Sequence, residues 1–197
     1  MNNKIQLDPE QYYHIYNHAN GFDNFFNDKS DYTDFINRYI KYIVPICNTF
    51  AYCLMPNHFH FFVQIKPVTE LISTLRFDPQ KPGNLQKSIN YRFSHLFNSY
   101  AQSFNKKYKR KGGLFKNSFN RKTVKTDKYF IKLVHYIHSN PVNDGFVESI
   151  ENWENSSYNS IINRSETFLD KETVIGYFDD IDNFKYVHRK ALNPQSG

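Results

Sequence analysis

Two histidines one residue apart, His58 and His60, stand in the stretch Met55-Pro56-Asn57-His58-Phe59-His60-Phe61-Phe62-Val63-Gln64. From His58 to Lys66 the residues alternate. Phe59, Phe61, Val63 and Ile65 fall on one side, and His58, His60, Phe62, Gln64 and Lys66 on the other. A period of two over this length predicts a half-buried strand. Residues i and i+2 of a strand emerge side by side, rooted about 7 Å apart. Two imidazoles at that spacing can converge on one small cation. The pair also suits an ordinary surface strand, so it carries weight only with further donors. A Cys2His2 zinc site is excluded: Cys47 and Cys53 lack the ligand spacing, and the other histidines are scattered.

Further donors come from a predicted helix over residues 127–139. Thr126 or Asp127 caps it, and Pro141 limits it so that it ends near Ser139. Phe130, Leu133, Val134 and Ile137 form its apolar stripe. At about 100° per residue, Tyr136 and Asn140 lie about 40° apart at the stripe's edge. Asn140 offers a hard amide oxygen. Two imidazoles and one amide oxygen suit Mg²⁺ or Mn²⁺ and leave positions open for substrate oxygens. Tyr129 falls on the same side but about 10 Å along the axis from Tyr136. Tyr136, not Tyr129, can therefore share a site with Asn140. A core-edge tyrosine with a wet hydroxyl is the plainer alternative.

The net charge of +6 is mild, but it is segregated. Residues 104–132 hold eleven Lys or Arg against one acid, a local charge of +10. Residues 144–182 hold ten acids against two bases, a local charge of −8. A concentrated basic stretch points to a phosphate-rich partner, with a solvated basic loop as the bland alternative. Lys106, Lys107, Lys109, Arg110, Lys111, Lys116, Arg121, Lys122 and Lys125 are the candidates for tracking phosphates. Tyr108 and Phe115 are placed either to stack on unpaired bases or to join the core. The opposed charges raise the expectation that the acidic segment folds back on the basic groove.

The elements that must position these residues follow in order. Residues 12–18 read as a first strand, ended by the Asn20-Gly21 turn. A helix capped by Ser30 or Asp31 runs to Pro45. Residues 49–55 form a second strand, joined by Pro56-Asn57 to the histidine strand as a hairpin. Residues 67–84 read as a loop with one helical turn near residues 71–75. A long helix carries Leu85, Ile89, Phe93, Leu96, Tyr100 and Phe104 on one face, runs into the lysines, and breaks at Gly112-Gly113. A strand over residues 119–124 precedes the Tyr136 helix. The order β-α-β-β-α-β-α predicts an α+β, ferredoxin-like antiparallel sheet with helices packed on it. Residues 166–178 read as a short amphipathic helix, and residues 191–197 as a disordered tail. Cys47 and Cys53, six apart around one strand, are expected on one face and reduced, as in a cytoplasmic protein. No apolar run is long enough to span a bilayer, and residues 1–6 lack the apolar core of a signal peptide.

These motifs together resemble a known family. Met55-Pro56-Asn57 followed by His58-Phe59-His60 is similar to the HUH motif, His–hydrophobic–His, of the single-tyrosine transposases. Tyr136-Ile-His-Ser-Asn140-Pro-Val142 resembles their nucleophile helix. Trp153-Glu-Asn-Ser-Ser-Tyr158 resembles a motif that follows it, and Tyr13-His-Ile-Tyr-Asn17 their opening strand. The resemblance covers residues 10 to 160 and is strongest to the REP-associated tyrosine transposases. It implies a ferredoxin-like fold, a divalent metal, and cleavage of single-stranded DNA beside a hairpin. Carried over, His58, His60 and Asn140 are metal ligands and Tyr136 is the nucleophile, leaving a 5′-phosphotyrosine that a 3′-hydroxyl can attack. The chain then divides into a catalytic domain over residues 1–160 and an acidic helical extension with tail over residues 161–197. It would act in the cytoplasm at the nucleoid, as a monomer or a homodimer. Two other readings stay open: a non-catalytic hairpin-binding module of the same fold, and a hydrolase that acts through water.

Overall fold

The alternation of residues 58–65 divides the molecule into layers. The computed structural model describes residues 5–21, 23–75, 78, 81, 83–116, 118–163 and 166–190. Four strands, β1 (Tyr12–His18), β2 (Cys47–Met55), β3 (His58–Ile65) and β4 (Asn120–Val124), form an antiparallel sheet in the order β2-β3-β1-β4. This is the ferredoxin-like order for a β-α-β-β-α-β chain. Helices α1 (Lys29–Tyr42) and α3 (Asn84–Lys107) pack together on one side. There Phe35, Tyr39, Ile89, Phe93, Leu96 and Tyr100 meet Tyr13, Ile15, Phe59, Phe61 and Val63. Helix α4 (Asp127–Asn143) covers the opposite face, where Phe130, Leu133, Val134 and Ile137 meet Phe50, Ala51, Cys53 and Phe62. A short helix α2 (Val68–Leu75) precedes α3, replacing the expected loop with two turns around buried Leu71.

Local chemistry moves several expected boundaries. Asp28, rather than Ser30 or Asp31, caps α1: its carboxylate accepts from the amides of Ser30 and Asp31. Asp31 reaches back to complete a capping box. Helix α4 does not stop before Pro141 but continues to Asn143. In the last turn a missing N–H costs one bond, and the carbonyls of Asn140, Pro141 and Val142 accept from Asp144, Phe146 and Gly145. Asn140 therefore keeps helical register with Tyr136. A bulge between Thr49 and Ala51 shifts the parity of β2, so Cys47 and Cys53 lie on opposite faces in separate clusters. Both thiols are free and buried.

Beyond α4, the chain closes the exposed edge of β2. The Leu54 amide donates to the Asn155 carbonyl (2.9 Å), and the Trp153 indole donates to the Leu54 carbonyl (3.1 Å). Ser157 Oγ accepts from the Tyr52 amide at 2.8 Å. The Trp-to-Tyr motif thus covers a strand edge that would otherwise stay open. Helices α5 (Tyr158–Ile162), α6 (Lys171–Tyr177) and α7 (Ile181–Arg189) follow. The expected single helix over residues 166–178 is shorter, and α7 is additional. The described part of the acidic segment runs on the β2 side instead of folding over the basic stretch, since β4 is the opposite edge. The tail over residues 191–197 lies outside the described residues.

A chain of neutral rings fastens α7 to α4. His188 Nδ1 lies 2.7 Å from the Phe184 carbonyl, which can only accept, so Nδ1 carries the proton. His188 Nε2 must then accept, and His138 Nδ1 donates to it at 2.9 Å. His138 Nε2 in turn accepts from Ser157 Oγ at 2.7 Å. Burial, with the neighbouring histidines adding, holds His138 well below the usual imidazole range. Burial likewise lowers His188 to about 3 and depresses His135, whose ring lies 5.2 Å from that of His188. The unfolded chain takes up protons below about pH 6.5 that these rings refuse, so stability is full above that pH and falls as pH drops towards 3. At pH 5.5 a ring lowered as far as His188 costs roughly 1.4 kcal/mol. Urea unfolding at pH 7.5 and 5.5 checks this: His188→Phe should lose less stability between the two than the wild type, by about that amount.

Candidate active site

Strands β1 and β3 bring His14, Tyr16 and His18 beside Phe62, His60 and His58 on the face under α4. The Pro56-Asn57 turn fixes where this row begins. The Pro56 carbonyl accepts from the Phe25 amide (2.7 Å), and the Asn57 carbonyl from Ala19 (2.8 Å). His58 and His60 are 7 % and 4 % exposed, so the pair is buried beneath the helix and does not lie on an ordinary surface strand. Above them lie Tyr136 and Asn140. The Tyr136 ring stands edge-on to His60, centroids 5.5 Å apart, and is 45 % exposed. Asn140 Oδ1 lies 2.9 Å from His58 Nε2. Tyr129 contributes no contact here among those described.

Asn57 Oδ1 sits 2.8 Å from His58 Nδ1, and Asn140 Oδ1 2.9 Å from Nε2. A neutral ring can donate to one of these oxygens only. With the proton on Nδ1, the Nε2 lone pair faces those of Asn140 Oδ1, and a cation at that edge relieves the repulsion. An octahedral ion with bonds of about 2.1 Å sets neighbouring ligands about 3.0 Å apart, so the spacing fits one. His60 Nδ1 lies 2.9 Å from His14 Nε2, which leaves Nε2 as its other coordinating atom. Burial, then the charges that His14, His58 and His18 would carry, lower His60 to about 2. Burial and then Lys122 lower His14 to about 4. Both rings are therefore neutral at pH 7, as a metal ligand must be. Among the described residues, no three His, Cys, Asp or Glu gather as a metal cluster, so the amide of Asn140 would be the third donor.

Three contributors escaped the sequence reading. His14 was seen only within the opening-strand motif, and its signal is the alternation that sets it beside His60. Asn57 was read as a turn residue. Asp144 Oδ2 comes within 3.8 Å of His58 Nε2 and extends the row Tyr136, Asn140 by one more turn of four.

The basic candidates divide. Lys107 pairs with Asp28 (2.8 Å) and Asp31 (2.7 Å), and Arg110 pairs with Asp23. Arg121 is half-buried and donates to Asn90 Oδ1 at 3.1 Å. Lys106, Lys109, Lys111, Lys116, Lys122 and Lys125 are exposed. Lys122 stands opposite His14 on the site face, 5.8 Å above the Tyr16 ring. Tyr108 is anchored by Asp31 (2.7 Å) and packs on Phe104, and Phe115 packs on Phe25 and Phe97. Both belong to the margin of the core.

No family model matches the chain. A protein of Haemophilus influenzae, provisionally named a REP-associated tyrosine transposase, is 28 % identical over 141 residues, covering 66 % of this chain and 72 % of its own length. A solved structure of a REP-associated tyrosine transposase bound to a REP hairpin matches the fold with a TM-score of 0.58 at 13 % identity, over 86 % of this chain and 94 % of that one. In motif order, in aligned sequence and in fold, this chain resembles the REP-associated tyrosine transposases.

Proposed function

We propose that this chain cuts and rejoins single-stranded DNA next to a hairpin, with Tyr136 as nucleophile and His58, His60 and Asn140 holding Mg²⁺ or Mn²⁺. One observation carries the reading: a half-exposed phenol stands against a buried imidazole row whose His58 Nε2 lies 2.9 Å from an amide oxygen 82 residues away in sequence. The hairpin in the similar solved structure supports the choice of substrate. The bound cation would supply positive charge to a nonbridging oxygen of the scissile phosphate.

The chain's own groups do the rest. Asn57 and His14 hold the two ligand rings in the tautomers that keep Nε2 unprotonated. The edge-on contact with His60 orients the Tyr136 ring. Its hydroxyl, reached by solvent, loses its proton to water as its oxygen bonds phosphorus. The bond from phosphorus to the 3′ oxygen breaks, and that oxygen takes up a proton. The product is a 5′-phosphotyrosine and a free 3′-hydroxyl. The ester retains the energy of the broken diester, so a second 3′-hydroxyl can attack it, release Tyr136 and join strands. Lys122 lies where the flanking phosphates would run.

Incubation with hairpin-bearing single-stranded DNA and Mn²⁺ should yield a covalent adduct on a denaturing gel. Tyr136→Phe should remove it, and an adduct that persists overturns the nucleophile. Hairpin binding with no adduct from the wild type would identify a binding module instead. The tautomer argument has its own test. His14→Phe should weaken Mn²⁺ binding about 10-fold or more, read by electron paramagnetic resonance without DNA, while His14→Gln, whose amide oxygen can accept from His60, should retain most of it. Equal loss in both would remove His14 from this role.

A further inference from the structure

A carboxylate closes the row of site residues on α4. Asp144 caps that helix at its C-terminus, where its amide donates to the carbonyls of Asn140 and Val142. A negative side chain is poorly placed there, against the negative end of the helix dipole, and the last turn holds no basic residue to offset it. Among the described residues, its one ion-pair partner within 4 Å is the His58 ring. Asp144 Oδ2 lies 3.8 Å from His58 Nε2, the same nitrogen that stands 2.9 Å from Asn140 Oδ1. The charge also reaches the sheet below: after burial, it is what raises the Cys53 thiol. Two oxygens from successive turns of the helix, one of them charged, thus converge on one ring nitrogen.

We propose that Asp144 is the charged member of the cation site, and that it makes DNA engagement wait for the cation. Two neutral imidazoles and an amide bring no charge to Mg²⁺ or Mn²⁺. Mg²⁺ in particular is held through one or two carboxylates together with substrate phosphates. Asp144 supplies that carboxylate. At 3.8 Å from Nε2 it is beyond hydrogen-bond distance, so it acts as a charge facing the site, with room for a water between. Its side chain is 43 % exposed, open to whatever enters from solvent. The same charge repels a phosphate that arrives without a cation. With a cation in place, carboxylate and phosphate share it, and the repulsion is offset. The inference rests on the cation reading above and adds an order of binding to it: cation first, strand second.

Two titrations test it on the full chain. In the first, Mn²⁺ is added without DNA and the free ion is read by electron paramagnetic resonance. Asp144→Asn should weaken Mn²⁺ binding about 10-fold or more, while Asp144→Glu, which restores the charge, should retain most of it. In the second, labelled hairpin-bearing single-stranded DNA is followed by fluorescence anisotropy. In EDTA, Asp144→Asn should bind about threefold tighter than the wild type, and saturating Mn²⁺ should close that gap. Thermal unfolding in EDTA should leave Asp144→Asn as stable as the wild type or more so, since an acid leaves a helix C-terminus. Mn²⁺ binding unchanged in Asp144→Asn, or lost equally in Asp144→Glu, overturns the charged role. DNA binding in EDTA that is no tighter in Asp144→Asn overturns the order of binding. A lower unfolding temperature in EDTA assigns the carboxylate to the fold and also overturns the proposal. Failure of the wild type itself to bind Mn²⁺ overturns the cation reading, and this inference with it.

Discussion

The arrangement depends on how α4 lies along β3. Phe130 seats its ring edge-on against Phe62, 4.5 Å between centroids, and is backed by Tyr177 stacked at 3.8 Å. From that contact the two elements run in opposite directions. Two strand residues advance about 6.7 Å, and four helix residues about 6 Å. The repeats nearly match over the site, where His60 lies beside Tyr136 and His58 against Asn140, one turn on. Phe62, one step back on β3, lies under Phe130, six residues before Tyr136. Losing this aromatic contact would disturb the row that follows it.

The back of α4 is secured differently. Its buried His138 is bonded to Ser157 on one side and His188 on the other. Ser157 belongs to the segment that caps the edge of β2, and His188 to the last described helix. The helix that carries Tyr136 is thus fixed by packing on the sheet side and by neutral, fully directed hydrogen bonds on the far side. Burial makes both possible, since it removes competing water and keeps the imidazoles uncharged.

Charge has two uses in this chain. Lys107 and Arg110 spend theirs inside the molecule, tying the end of α3 to the acids before and within α1. Lys122 and the exposed lysines of the same stretch leave theirs at the surface. A count of charges along the sequence cannot separate these, because the partners of Lys107 lie more than 70 residues away.

Local patterns were enough for the four strands, for helices α1, α3 and α4, for the sheet class, and for the pairing of Tyr136 with Asn140 on one helix edge. They rest on periods of two and 3.6, which any reader of the sequence can follow. Boundaries shifted where one atom decided them, at the Asp28 cap, the bulge after Thr49 and the tolerated Pro141. The roles of His14, Asn57 and Asp144 were not legible. Each comes from a bond or a close approach to a histidine, and types and spacing do not say which ring nitrogen faces which neighbour. The chain order fixed what could be hydrophobic or polar on each face; only the packed fold decided which lone pairs meet, because that depends on distances across elements, to a few tenths of an ångström, that no single segment contains.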